Sequence, residues 1–216
     1  MACAKTALIV FSRKPVPGQV KTRLIGTLGE EGAAALQRRL LAGALETGRN
    51  AGFGAIELHC APDCDDPFLR DCAVRYDASL FNQEGNDLGE RMADALTQTL
   101  SRHASAILIG SDAPSLTTDD LRFARSAVES DQLVIGPAED GGYVLIGMTS
   151  RHRRAGSLMR FFSGMAWGGA GVMETTRRRL TALGEPWVEL PLRWDVDTPT
   201  DLCRLNGSIN PRSISP

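Results

Sequence analysis

Residues 6–24 read T-A-L-I-V-F-S-R-K-P-V-P-G-Q-V-K-T-R-L: an apolar, β-branched run that closes on Phe11 and passes into a loop no strand or helix would accept. From Phe11 to Leu24 stand four cations, Arg13, Lys14, Lys21 and Arg23, interleaved with Pro15, Pro17 and Gly18. Proline fixes φ and offers no backbone donor, so the chain must leave any sheet here. A helical pattern follows, with Leu36, Leu40 and Ala44 spaced four apart on one face. Strand, basic loop and long helix make the opening unit of an α/β fold. Four like charges in a short loop call for something negative, most simply a phosphate-rich ligand.

Working outward, apolar runs at residues 55–60, 106–109, 133–136 and 143–147, and a weaker one at 187–190, predict further strands. Leu88, Met92, Leu96 and Leu100 predict a second amphipathic helix. Thr117-Thr118-Asp119-Asp120 before Leu121, and Thr198-Pro199 before Thr200, predict two helix starts with a threonine cap. Alternation of this kind predicts an α/β fold with a mostly parallel sheet covered by helices on both faces, because right-handed crossovers put helices there. Residues 143–147 follow 133–136 too closely for a crossover helix, so the sheet is expected to be mixed, with Gly141-Gly142 as a hairpin turn. At 216 residues the chain fits one domain, expected over 1–205, with 206–216 as a frayed polar tail.

Composition excludes several functions. Hydrophobic residues make up 43% and charged residues 23%, and a net charge of −2 gives no global field for nucleic acid or anionic membrane. Arg151, Arg153 and Arg154, and likewise Arg177, Arg178 and Arg179, lack interleaved aromatics and read as solvated faces. No apolar stretch approaches the roughly 18 residues of a spanning helix, and residues 6–11 are too few for a signal core, so a cytoplasmic location is expected. Five cysteines without a secretory signal predict reduced thiols. His59, Cys60, Cys64 and Cys72 match none of the compact ligand pairs of structural zinc, and Cys60 alternates with Ile56 and Leu58 as a buried strand face does.

Four unusual segments follow predicted strands: the basic loop, Gly110-Ser111-Asp112-Ala113-Pro114, the stretch from Gly136 to Gly142, and Trp194-Asp195-Val196-Asp197-Thr198-Pro199. In an open α/β sheet all four gather at the carboxyl ends of the strands, where ligands bind. Asp112 is expected as an exposed carboxylate at a strand end. Asp195 and Asp197, two apart, project to one side of an extended chain and suit a hard cation, magnesium or manganese. Taken singly, Asp112 suits a turn and Asp197 a helix cap equally well, and the basic loop alone suits a solvated turn. Gly18-Gln19-Val20-Lys21-Thr22 lacks the glycines of a phosphate-binding Walker loop. Gly168, Gly169 and Gly171 follow no strand in the dinucleotide-binding manner, and His59, His103 and His152 sit in no nucleophile motif.

As an ordered set, Phe11, Arg13, Pro15, Pro17-Gly18, Val20-Lys21-Thr22-Arg23-Leu24, Asp87-Leu88-Gly89-Glu90-Arg91-Met92, Gly110-Ser111-Asp112, Asp140-Gly141-Gly142-Tyr143 and Asp195-Val196-Asp197-Thr198-Pro199 resemble a known family. It is the nucleotide-diphospho-sugar transferase superfamily, in particular its radical-SAM/selenodomain-associated, arsenosugar-biosynthesis-type glycosyltransferases. The basic loop and strand-end aspartate are also similar to those of 2-phospholactate guanylyltransferases. The resemblance implies a single-domain GT-A-like, Rossmann-like fold and a transferase acting on a nucleotide-activated donor. It implies nucleotide contacts from Phe11, Arg13, Gly18, Lys21, Thr22, Arg23, Gly89 and Arg91, with Lys21 and Arg23 on the triphosphate. It further implies a metal at Asp112, Asp195 and Asp197, an acceptor pocket from Asp140, Gly141, Gly142, Tyr143 and Trp167, and catalysis by Lys21, Arg23 and Asp112. Trp167-Gly168 departs from the family's Trp-Ser, and Gly26 replaces a proline. Nucleotidyl transfer from a nucleoside triphosphate to a small acceptor is set slightly ahead of glycosyl transfer from a nucleotide sugar, because four cations suit a triphosphate. A nucleotide-binding regulatory protein without turnover is the third reading.

Overall fold

The computed structural model describes residues 6–154, 157–184 and 186–208, in which the apolar runs form one seven-stranded sheet. The strands are β1 (Thr6–Arg13), β2 (Ile56–Ala61), β3 (Ala78–Asn82), β4 (Ser105–Gly110), β5 (Leu133–Pro137), β6 (Tyr143–Thr149) and β7 (Trp187–Glu189), in spatial order β3-β2-β1-β4-β6-β5-β7. β1 runs parallel to β2 and β4, β2 to β3, and β5 to β7. Only β6 runs against its neighbours, β4 and β5. The mixed, mostly parallel sheet is therefore as expected, and the hairpin at 138–142 is its cause. Ala138 N donates to Gly142 O and Gly141 N to Ala138 O, closing a turn too short for a crossover.

Strand alternation divides the core. Leu8 and Val10 of β1, with Ile107 and Ile109 of β4, face α1 (Ile25–Asn50), α2 (Pro67–Tyr76) and α4 (Thr118–Glu129). Ile9, Phe11, Ala106 and Leu108 face the opposite way, onto α3 (Leu88–Thr99), α6 (Ser157–Phe162) and α7 (Val172–Leu183). Each of the larger of these side chains contributes about 1.5–3 kcal/mol when fully buried, so strand register and helix placement reinforce one another. α5 (Ser150–Arg154) follows β6, and α8 (Pro199–Ser208) joins α1 through Leu202, Leu205, Leu36 and Leu40.

Five elements, β3, α2, α5, α6 and α7, lie outside the sequence expectation. β3 is a half-exposed strand at the sheet edge, whose sequence A-S-L-F-N lacks a strong β-branched run. α2 starts at Asp66-Pro67, with the Asp66 carboxylate accepting from Phe68 N and Leu69 N. Leu88, expected on an apolar helix face, is instead 45% exposed at the start of α3. The predicted cap at Thr117 forms a reciprocal box with Asp120. α8 continues to Ser208, beyond the expected domain end at residue 205, and residues 209–216 of the expected tail lie outside the described residues.

Cys60 and Cys72 are buried free thiols, Cys64 is half-buried and Cys203 exposed, while Cys3 lies outside the described residues. Burial pushes the Cys60 thiol far up and Cys72 to about 11, which disfavours the reactive thiolate. Among the described residues no helix is long and apolar enough to cross a membrane.

Candidate active site

The basic loop is pinned from beneath. Val20 and Leu24 are buried, and Arg38 of α1 donates to Pro15 O. Lys21 between them adopts a left-handed φ of 46°, a conformation uncommon for a side chain of its size, and starts a 3-10 turn at Thr22–Leu24. Its side chain, only 6% exposed, thereby carries the ammonium to the carboxyl ends of the strands.

There it meets two acids. Lys21 Nζ donates to Asp112 Oδ2 at 3.0 Å and to Asp197 Oδ1 at 3.3 Å, and Arg23 donates to Asp197 Oδ2 at 2.8 Å. Burial alone would lower the Lys21 pKa, but Asp112 and Asp197 outweigh it and raise it. The two acidic loops are stitched together: Val196, fully buried, donates its backbone N–H to Asp112 O at 2.9 Å. With Val196 turned inward, Asp195 and Asp197 on either side both line the cleft. Arg193 holds the same loop to α4 through a hydrogen-bonded ion pair with Asp120.

The cleft has a volume of about 810 Å³ and takes lining from all four segments. Phe11, Arg13, Lys21, Thr22, Arg23, Arg91, Asp112, Asp140, Gly142, Tyr143, Trp167, Asp195 and Asp197 line it. Gly18, Gly89 and Gly141 do not. Gly89 lies beneath Trp167, where a Cβ would come within 2.6 Å of the indole Nε1 and 2.8 Å of Phe162 O. Gly141, at φ +88°, would drive a Cβ to 2.2 Å from Ala170 O, so its place is turn geometry and close approach. Tyr143 donates to Met92 Sδ and stands edge-on to Trp167 at 6.2 Å, forming an aromatic wall. The Trp167 Nε1–H is buried with no partner among the described residues.

One expectation is corrected. Lys14 does not join the other cations: it pairs with Asp63 at 2.9 Å and does not line the cleft. Lys21 and Arg23 are neutralised by the protein's own carboxylates, so the charge density of the loop needs no ligand to hold it together. The cap reading of Asp197 is also answered. Thr198 and Asp201 cap α8 reciprocally, leaving the Asp197 side chain to Lys21 and Arg23.

Sequence reasoning passed over Gln37 and Gln83. Gln37, buried on α1, donates to Ser12 Oγ and Ser111 Oγ, tying the helix to the ends of β1 and β4. Gln83 spends its amide hydrogens on Ser12 O and His59 O. A lone glutamine beside Leu36, Leu40 and Leu41 was the available signal for the first; the second follows the undetected strand β3.

As to a metal, Asp112 and Asp197 offer hard carboxylate oxygens that converge on one cation, the Lys21 ammonium. The donor set fits magnesium or manganese. Yet among the described residues no three ligating side chains form a ready cage. Asp195 pairs with no cation there; burial, reinforced by Asp112, Asp140 and Asp197, pushes its carboxyl up to about 6.

Because that value lies above the roughly 3.9 of an unfolded aspartate, the stability Asp195 contributes is present below about pH 4 and lost as pH rises through about 6. Asp195→Asn is therefore expected to gain about 1 kcal/mol over the parent near pH 7.5, after discounting for solvent screening, and nothing near pH 4. Urea denaturation at the two pH values measures the difference. An equal gain at both would show that ionisation is not the cause.

A family model described as an uncharacterized protein conserved in bacteria, DUF2064, matches residues 44–169. The chain belongs to this family. A search of curated proteins returns no match. Among solved structures, this DUF2064 member is similar to a Desulfovibrio desulfuricans G20 protein provisionally described as a nucleotide-diphospho-sugar transferase. That match has 29% identity and a TM-score of 0.82, over 97% of this chain and 91% of that one. A cytidylyltransferase from Leptospira borgpetersenii shares the fold at 15% identity and a TM-score of 0.61, over 98% and 90%. So does the manganese complex of Rv0371c from Mycobacterium tuberculosis H37Rv, at 17% and 0.52, over 95% and 100%. The resemblance to the nucleotide-diphospho-sugar transferase superfamily thus holds at the level of the fold.

Proposed function

We propose that this DUF2064 protein is a divalent-metal-dependent transferase that moves a nucleotidyl group from a nucleoside triphosphate to a small acceptor. The observation that carries this reading is the convergence of Lys21, Arg23, Asp112 and Asp197 at one end of an 810 Å³ cleft at the carboxyl edge of the parallel strands. That size suits a nucleotide with a small second substrate. The fold likeness to a cytidylyltransferase supports the same class.

In this reading Lys21 and Arg23 bind the phosphates, and Asp112 and Asp197 hold the metal, with Asp195 beside them. When bound, the metal would neutralise charge developing on the transferred phosphoryl group. An acceptor oxygen attacks the α-phosphorus, the bond to the bridging oxygen breaks, and pyrophosphate leaves against Lys21 and Arg23. The acceptor's proton would pass to a carboxylate of the cleft wall, where Asp195, paired with no cation among the described residues, is placed. Tyr143 and Trp167 would wall the acceptor side.

Glycosyl transfer is the second reading, favoured by the likeness to the provisionally described nucleotide-diphospho-sugar transferase. With Lys14 turned away, three basic-loop cations line the cleft rather than four, which narrows the preference for a triphosphate. Thermal-shift screening separates the readings. A nucleoside triphosphate with Mg²⁺ at 100 times its Kd is expected to add about 2.7 kcal/mol, a rise of roughly 5–10 °C for a chain of this size. A larger rise with a nucleotide sugar, and release of nucleoside diphosphate rather than pyrophosphate, favours the second. No metal-dependent shift with either class overturns both.

A further inference from the structure

The Lys21 ammonium sits between the two carboxylates that the transferase reading gives to a metal, and its side chain is 94% withdrawn from solvent. Its place is built rather than incidental. The backbone at Lys21 is held in the left-handed region between two buried anchors, Val20 and Leu24, and the acidic loops it bridges are joined by the Val196 to Asp112 hydrogen bond.

Resting on that transferase reading, we propose that Lys21 is a resident counter-ion which a divalent metal must displace, so that metal and polyphosphate enter together and the metal alone is kept out. A bare divalent ion approaching Asp112 and Asp197 meets an ammonium already satisfying both. To coordinate, it must expel a buried cation that then has no partner, and like charges at such separation repel strongly in a poorly solvated site. A metal bound to a polyphosphate changes this balance. Its oxygens offer Lys21 and Arg23 a new acceptor as the carboxylates transfer to the metal, so each cation keeps an anion throughout. Arg23 is already placed for this: 73% exposed, it reaches Asp197 from the solvent side while Lys21 reaches it from within. The arrangement couples the two ligands, and by linkage each must raise the affinity for the other equally.

The distinguishing consequence is that removing a positive charge from the phosphate-binding loop should improve metal binding. Lys21→Met keeps an unbranched apolar stem as far as Cε and deletes the ammonium. Titration of Mn²⁺ alone, read by calorimetry and by loss of the free-ion EPR signal, is expected to give at least tenfold tighter binding to Lys21→Met than to the parent. Lys21→Arg, which retains the charge, is expected to stay as weak as the parent. In the same series inorganic pyrophosphate, after correction for its own Mn²⁺ complex, should tighten Mn²⁺ binding to the parent but not to Lys21→Met.

Equal or weaker Mn²⁺ binding by Lys21→Met overturns the displacement, while a pyrophosphate-supported Mn²⁺ site in the parent would leave the transferase reading standing. Absence of Mn²⁺ binding to any of the proteins, with or without pyrophosphate, overturns both. Should Lys21→Met not fold, the parent decides: tight binding of Mn²⁺ alone, unaffected by pyrophosphate, refutes the proposal, and binding that requires pyrophosphate upholds it.

Discussion

Asp112→Asn is expected to lower kcat/KM by about 10³-fold while leaving the fold intact, since the substitution removes charge but no volume. Lys21 is buried, but it keeps Asp197 as a partner when Asp112 is neutralised, and Asp112 is itself 38% exposed, so loss of that one ion pair costs about 1–2 kcal/mol. Its carboxylate would be one of the oxygens that receive the metal, and an amide carries no charge to offset it. The metal-dependent part of the nucleotide-induced thermal shift should vanish with the activity. Asp201→Asn is the matched control. Asp201 accepts from Thr198 N and Oγ1 and from Asp197 N, so its substitution weakens the cap of α8, by up to about 1 kcal/mol, and reaches the Lys21 cluster only through that backbone contact, leaving every charge of the cluster in place. Steady-state kinetics and melting curves on the two variants should therefore separate cleanly. Turnover near the parent level in Asp112→Asn would remove this carboxylate from the chemistry.

What the sequence made legible is what short-range physics determines. The apolar runs around Leu8, Ile107 and Val134 form central strands because both faces of the sheet are buried, and such strands read as near-continuous hydrophobic stretches, while β2 around Leu58 keeps its place despite the buried Glu57 and His59. The antiparallel turn of β6 followed from loop length alone. β3 escaped because an edge strand carries only half a buried face, and its pattern is diluted by Ser79 and Asn82. α2 was in fact readable at Asp66-Pro67, a cap followed by proline at the first helical position. The short helices α5 and α6 hold too few turns to display a period.

At the cleft, the topology rule brought the four loops to one edge without knowledge of any side-chain direction. Direction is where pattern reasoning ended. Lys14 and Lys21 look alike in sequence, yet Asp63, beyond β2, takes one, while the two acidic loops take the other. That partition depends on contacts between residues 49 and 91 or more positions apart, which no local window contains. Gln37 is similar: its buried amide makes sense only once Ser12 and Ser111 are neighbours.

The same long-range logic governs a charge far from the cleft. Glu57 on β2, about 4% exposed, accepts hydrogen bonds from His59, Thr99 and Arg102, with the His103 ring at 3.6 Å. Burial pushes its carboxyl up, but the bonds from His59, Arg102 and Thr99 outweigh it and hold the pKa at about 2. A native value below the roughly 4.3 of an unfolded glutamate means the stabilisation is present above that value and lost as pH falls towards 2. Two units or more correspond to about 3 kcal/mol, consistent with the cost of breaking a buried ion pair. Glu57→Gln should thus melt roughly 6–12 °C below the parent at neutral pH. In urea titrations the gap should narrow steadily from pH 5 downwards and be largely closed near pH 2, because the protonated glutamic acid then resembles the amide. A gap that stayed constant with pH would trace the loss to packing around β2 and α3 rather than to the ionised carboxylate.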